Sequence, residues 1–339
     1  MLDSRPLAGA RCGADSVRLE VGCYRLRFNA ESAVQFSDFP GSAWRGALGH
    51  SLARLACTNR VRACPPCRRP QACAYGYLFE TPPPPDAAKM RKYNQVPHPF
   101  TLRLEETSER ACTLRAHLFG RANGYLPLLV AALRQAGQSP KGIAGNRLAL
   151  DSVSQESTPG SGDWRRIDHS AGTLLPLAPV SPVTPPCPAG VEIRLLTPLR
   201  VKSDGRTAGE TTLDFGAFFS VLLRRISMLT YFHGAVALEI NFKSLTAAAR
   251  SVRMQGALQW REQVRYSARQ ESAMKLGGVA GTLRIEDQDL APFWPFLWLG
   301  QWTHAGSAAS MGNGAYELAS LPLTRDTRLA SNVAPNVAP

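Results

Sequence analysis

Apolar and polar residues alternate over residues 17–28, "VRLEVGCYRLRF". Val17, Leu19, Val21 and Cys23 fall on one side and Arg18 and Glu20 on the other, which predicts a half-buried strand. The pattern then changes period. Trp44, Leu48, Leu52 and Leu55 recur at helical spacing, and Ser42 just ahead of them is the expected N-cap. Strands are predicted over 100–106, 112–119 and 147–153, with a helix over 125–137, "YLPLLVAALRQAG", ended by Gly137. The order is β-α-insert-β-β-α-β.

The second half repeats that order. A strand over 191–201 is followed by a strongly apolar helix over 215–232. Strands are expected at 257–267 and 277–286, a helix at 290–304 with Pro292 and Pro295 in its first turns, and a closing strand at 314–320. Two β-α-β-β-α-β units predict an α+β protein of two tandem ferredoxin-like, RRM-like domains, a fold whose sheet face is a familiar RNA platform. The expected division is a first domain over 1–154 with a cysteine-rich insert at 57–96, and a Ser/Pro/Gly-rich linker at 155–190. A second domain follows over 191–320, then a disordered tail at 321–339.

Composition adds a partner. Bases outnumber acids 39 to 26, giving a net charge of +13 and a pI near 9.7, which suits a polyanion. Six lysines stand against 33 arginines. Codon bias in a GC-rich genome accounts for that ratio, but not for the excess of base over acid. No run of eighteen apolar residues and no apolar leader core is present, so the expectation is a soluble cytoplasmic protein with no membrane partner.

Cys57, Cys64, Cys67 and Cys73 cluster with spacing C-x6-C-x2-C-x5-C. Four thiolates match a tetrahedral zinc site, and an iron–sulfur cluster uses the same ligands. The expectation is a structural zinc beside Arg60, Arg62, Arg68 and Arg69. The other four cysteines read as small apolar residues.

The segment "LWLGQWTHAGSAASMGNGAYEL", 297–318, ends an apolar run in a glycine-rich turn. Gly306, Gly312 and Gly314, around Ser307, Ser310 and Asn313, allow positive φ and close backbone approach to another molecule. With "WRGALGHSLARLAC", "CAYGYLFE", "PHPFTL", "LLTPLRVKSDG", "YSARQ" and "LGGVAGTL", in that order, the chain resembles the CRISPR-associated endoribonucleases of the Cas6 family, within the RAMP superfamily. Ser307 stands where members often carry a lysine.

The resemblance implies binding of a CRISPR repeat in precursor RNA and one metal-independent cut per repeat, with no catalytic cofactor. The products would carry 2′,3′-cyclic phosphate and 5′-hydroxyl ends. CRISPR effector subunits are further partners under this reading, and a non-catalytic RNA-binding subunit of such a complex is the alternative function.

That chemistry needs a base, an acid and cations around the phosphorane. His50 lies in the first helix, where many family members carry a catalytic histidine, with Arg54 one turn on and Arg45 near the helix start. The alternative for His50 is a groove-filling residue against the sheet. Tyr24 is a candidate phenol, set against a buried strand tyrosine. His304, Gly306, Ser307, Gly312, Asn313, Gly314, Arg265 and Arg269 are the expected RNA contacts, with surface arginines as the plainer reading of the last two.

Overall fold

The computed structural model describes residues 17–57, 73–90, 95–169, 172–203, 205–267, 272–286 and 288–321. The tail beyond 321 lies outside the described residues.

The first unit runs β1 (Val21–Ala30), α1 (Pro40–Ala56), β2 (Phe100–Thr107), β3 (Ala111–Phe119), α2 (Leu126–Gln138), β4 (Leu148–Glu156) and β5 (Trp164–Arg166). Its antiparallel sheet has the order β2-β3-β1-β4-β5. Tyr24 of β1 sits opposite Ala116 of β3 and Gln155 of β4. Tyr24, Leu26 and Phe28 face the helices and meet Trp44, Leu48 and Leu52 of α1 and Leu129 and Leu133 of α2. Burying each such side chain contributes about 1.5–3 kcal/mol.

The second unit runs β6 (Gly190–Leu199), β7 (Lys202–Ser203), β8 (Arg206–Thr207), α3 (Phe215–His233), α4 (Phe242–Ala249) and β9 (Gln255–Arg261). It continues with β10 (Val264–Ser267), β11 (Ser272–Lys275), β12 (Gly278–Ile285), α5 (Trp294–Thr303) and β13 (Tyr316–Leu321). Its main sheet has the order β13-β6-β12-β9. In both units the principal strands lie in the spatial order fourth, first, third, second, the ferredoxin-like arrangement expected from the sequence.

Several local expectations change. Helix α1 begins two residues before Ser42, with Phe39 as N-cap and Pro40 in the first turn. Proline fits there because its missing N–H would have had no helical partner. Gly137 lies inside α2, and a Cβ there would come 2.3 Å from the Leu148 carbonyl oxygen, so it permits helix–strand contact instead of ending the helix. Helix α5 starts at Trp294, so Pro292 precedes it. Helix α3 is long and apolar enough to cross a membrane, but 61% of that stretch is buried within the protein. Its Phe215, Phe218, Phe219 and Leu222 form the second core.

Around Leu177 and Val180 the expected linker is laid against the first sheet. The Gln155 side chain pairs twice with Leu177, at 3.0 and 2.9 Å, and the Val21 N–H donates to the Val180 carbonyl at 3.0 Å. The expected RNA platform on the first sheet is correspondingly covered. Its face away from α1 and α2 carries Cys23, Thr101 and His117, all buried, and Thr101 and His117 contact the Trp302 carbonyl of α5.

Candidate active site and RNA-binding surface

Helix α1 turns Gly46, His50 and Arg54 to one face, as i, i+4 and i+8 spacing requires. That face lines a groove of about 740 Å³, with Gln135 of α2, Lys141 of the following loop and Val264 of β10. Among the described residues, His50, Arg54 and Lys141 are its ionisable lining, and no carboxylate lines it. His50 is exposed, and its Nδ1 lies 3.1 Å from the Gly46 carbonyl oxygen. A carbonyl can only accept, so Nδ1 carries the proton and neutral His50 offers its lone pair at Nε2.

The far wall is rigid. Ile143 and Asn146 exchange backbone hydrogen bonds at 2.9 and 3.0 Å. The Asn146 amide bonds Gln35 in both directions, at 2.9 and 2.8 Å, tying the Lys141 loop to the segment before α1.

Arg45 does not line the groove. Its guanidinium stacks 4.3 Å over the Phe79 ring, and its Nη2 donates to His98 Nε2 at 2.7 Å. A Cβ at Gly49 would lie 2.3 Å from Phe79, so that glycine admits the ring. Burial first, then the Arg45 charge, holds His98 well below the ordinary histidine range. Tyr24 is also away from the groove. It is 1% exposed, donates to Asn123 Oδ1 at 3.0 Å, and burial raises its phenol far above the usual value.

The glycine turn is mainly a docking element. His304 is 1% exposed, packed edge-on to His117 with centroids 6.0 Å apart. Burial, then His117, pushes its pKa well down, and this position is closed to RNA. Gly312 has φ +93°, and a Cβ there would come 2.6 Å from the Leu102 carbonyl oxygen of β2. Asn313 is buried and donates to Gln263 Oε1 at 3.0 Å. Gly314 is buried, whereas Gly306 and Ser307 are half-buried.

Arg265 pairs with Met274 through the β10–β11 ladder, its side chain lying outside the described residues along with all of Arg269. Cys64 and Cys67 also lie outside them. Among the described residues no group of three or more metal-ligating side chains is gathered. Cys57 follows α1 directly, and Cys73 Sγ lies 4.0 Å from the Ala56 carbonyl oxygen at the end of that helix.

Sequence reasoning passed over Lys141. Its signal is a lysine in "SPKGIAGN", a glycine-containing loop directly after an amphipathic helix, in a chain with six lysines.

Two family models match in succession. One, AF_1859_N, describes an N-terminal domain and covers residues 19–176. The other describes the CRISPR-associated endoribonuclease Cas6 and covers residues 193–316. Over residues 193–316 the chain matches the Cas6 family.

Solved structures agree on the fold. A Cas6 product complex superposes with a TM-score of 0.53 at 17% identity, covering 88% of this chain and 100% of that one. Thermus thermophilus Cas6 gives 0.50 at 18% identity, covering 89% and 99%. A partial Cas6-RT-Cas1–Cas2 complex gives 0.51 at 13% identity, covering 96% of this chain and 49% of that one. No curated protein matches the sequence significantly.

Proposed function

We propose that this protein is a Cas6 endoribonuclease that cuts CRISPR repeat RNA in precursor transcripts, with the α1 groove as its active site. The observation that carries the reading is His50 and Arg54 sharing a groove with Lys141, with no lining carboxylate among the described residues. Such a set moves protons and balances phosphate charge. Among the described residues it offers no carboxylate for a magnesium ion.

In this reading Nε2 of His50 takes the proton from the ribose 2′-hydroxyl. The 2′-oxygen forms a bond to the adjacent phosphorus, and the bond to the 5′-oxygen breaks. The leaving oxygen takes up a proton. A 2′,3′-cyclic phosphate and a 5′-hydroxyl remain. Arg54, one turn along α1, balances the extra charge of the phosphorane, and Lys141 supports the strand from the opposite wall. Gly306 and Ser307, the half-buried part of the glycine turn, remain available to the RNA backbone.

Cys57, Cys64, Cys67 and Cys73 would hold a structural zinc. The position of Cys73 beside the C-terminal end of α1, next to Cys57, supports this reading. The basic surface also suits assembly with other CRISPR proteins, as the Cas6-RT-Cas1–Cas2 complex illustrates for its own chain.

The test is a repeat RNA carrying a single 2′-deoxy residue at the cut site, run beside the all-ribose RNA in EDTA. The expected result is binding of both and cleavage of the ribose form alone. Cleavage of the deoxy form, or loss of activity in EDTA from protein that is still folded, overturns the mechanism.

A further inference from the structure

Four rings form a continuous stack against α1. Tyr75 lies 5.5 Å from Phe79, Phe79 5.9 Å from His98, and His98 5.6 Å from Phe100, with interplanar angles of 17°, 28° and 13°. Tyr75 and Phe79 come from the insert, and Phe100 opens β2. Phe79 leans on Gly49, the residue before His50, where an added Cβ would lie 2.3 Å from its Cζ. Arg45, one turn earlier on α1, lies over the same ring at 4.3 Å and donates to His98 Nε2 at 2.7 Å.

The stack is held from behind. A guanidinium only donates, so His98 Nε2 carries the lone pair and the proton sits on Nδ1, 3.4 Å from Thr81 Oγ1. Thr81 Oγ1 donates to the Val96 carbonyl at 2.8 Å. Thr81 follows the short helix Gly76–Glu80 with φ +43°, an unusual conformation for a β-branched residue. Its N–H donates to the Gly76 carbonyl at 2.7 Å, and its carbonyl accepts from the Val96 N–H at 2.8 Å. Strain of this kind persists where the surroundings over-determine it, and it gathers at functional sites. Yet Tyr75, Phe79, Thr81 and His98 do not line the His50 groove.

We propose that Phe79, braced by Arg45 and His98, is a positioning residue for the cut. The inference rests on the reading of His50 as the base in the α1 groove and adds what aims it. Arg45 and Gly49 lie one position before Gly46 and His50. A helix turns as a unit, so gripping the first pair fixes where the second pair points. The His50 ring is tied to the Gly46 carbonyl of the same helix at 3.1 Å, so its aim follows the helix.

The test is single-turnover cleavage of repeat RNA at saturating protein, with affinity and thermal melting measured beside it. Phe79→Leu should cut about 10–100-fold more slowly at unchanged affinity, since a misplacement of about 1 Å can cost about 10² in rate. Phe79→Tyr keeps the ring and should keep the rate. Gly49→Ala presses a methyl group on the ring and should slow the cut as well. Alanine favours helix over glycine, so this variant decides the matter if Phe79→Leu does not fold.

The deciding readout is Phe79→Leu in the His50→Ala background. A residue that acts through His50 has nothing left to aim there, so the double variant should cut as slowly as His50→Ala alone. An equal further slowing in that background overturns the proposal. So does a parental rate in Phe79→Leu or Gly49→Ala, a loss that weaker binding accounts for, or a Phe79→Tyr protein as slow as Phe79→Leu. A His50→Ala protein that cuts at the parental rate overturns the reading of the groove instead, and that result is read first.

Discussion

Asn313 in the glycine turn donates to Gln263 Oε1 at 3.0 Å, with both side chains buried. Gln263 is the residue before β10, and its carbonyl also accepts from the Leu276 N–H at 2.7 Å. One hydrogen bond therefore fastens the base of the β10–β11 ribbon to the turn. The ribbon in turn places Val264, 56% exposed, against the His50 groove.

Asn313→Ala should free that ribbon. Leaving Gln263 Oε1 enclosed without a donor costs about 1–3 kcal/mol. Hydrogen exchange should quicken in 264–267 and 272–275 while the sheet of β6 and β12 stays protected, and RNA binding should weaken. Unchanged exchange in the ribbon contradicts the fastening role.

Gly312→Val is expected to act on stability before RNA binding. The position has φ +93°, and an added Cβ would crowd the Leu102 carbonyl of the other domain. Backbone strain of this kind costs about 1–3 kcal/mol before the clash is counted. Thermal melting should show a drop of several degrees, whereas Gly124→Ala, where no atom lies within 4 Å of a new Cβ, should melt close to the parent. A Gly312→Val protein that melts like the parent but loses RNA would return the turn to a direct RNA contact.

The two ferredoxin-like units were legible because their periodicity is local. Tyr24, Leu26 and Phe28 alternate in β1, and α3 is apolar over its whole length. What escaped the sequence depends on contacts between units. The motif "THAGSAASMGNG" reads as an exposed phosphate cradle, yet Gly312 and Asn313 face β2 and Gln263. His304 sits beside an exposed-looking turn but is packed on His117, 187 positions earlier in the chain. Arg45 and His50 share one helix, yet the insert's Phe79 claims the first and leaves the second to the groove. The i, i+4 pairing of His50 with Arg54 survived because it needs only the helix.

The buried histidines set an acid limit. Burial pushes His117 down to about 3 and His233 to about 4, and lowers His304 as well. Unfolded histidine titrates near 6.5, so between about 4 and 6.5 the unfolded chain binds more protons than the folded one. Stability should therefore rise with pH through that window and be lost as pH falls through it. The urea midpoint should drop between pH 7 and pH 5, and His117→Asn, which can still donate to the Trp302 carbonyl, should flatten the profile. A parent midpoint that does not change across this range contradicts the assignment.

Elemental analysis should find about one zinc per chain, held by Cys57, Cys64, Cys67 and Cys73. Cys64→Ser/Cys67→Ser should lose the metal and loosen residues 57–80 without melting the two sheets. Iron with visible absorption would replace zinc, and a metal-free protein would remove the site.

The most direct measurement is the ratio of single-turnover cleavage rates for the parent and His50→Ala on repeat RNA, with binding checked in parallel. His50 is exposed and makes no contact that the core depends on, so the variant should fold and bind. Loss of one acid–base group should slow cleavage by about 10²–10⁴. A His50→Ala protein that cuts at the parental rate would contradict the account of the α1 groove as the active site.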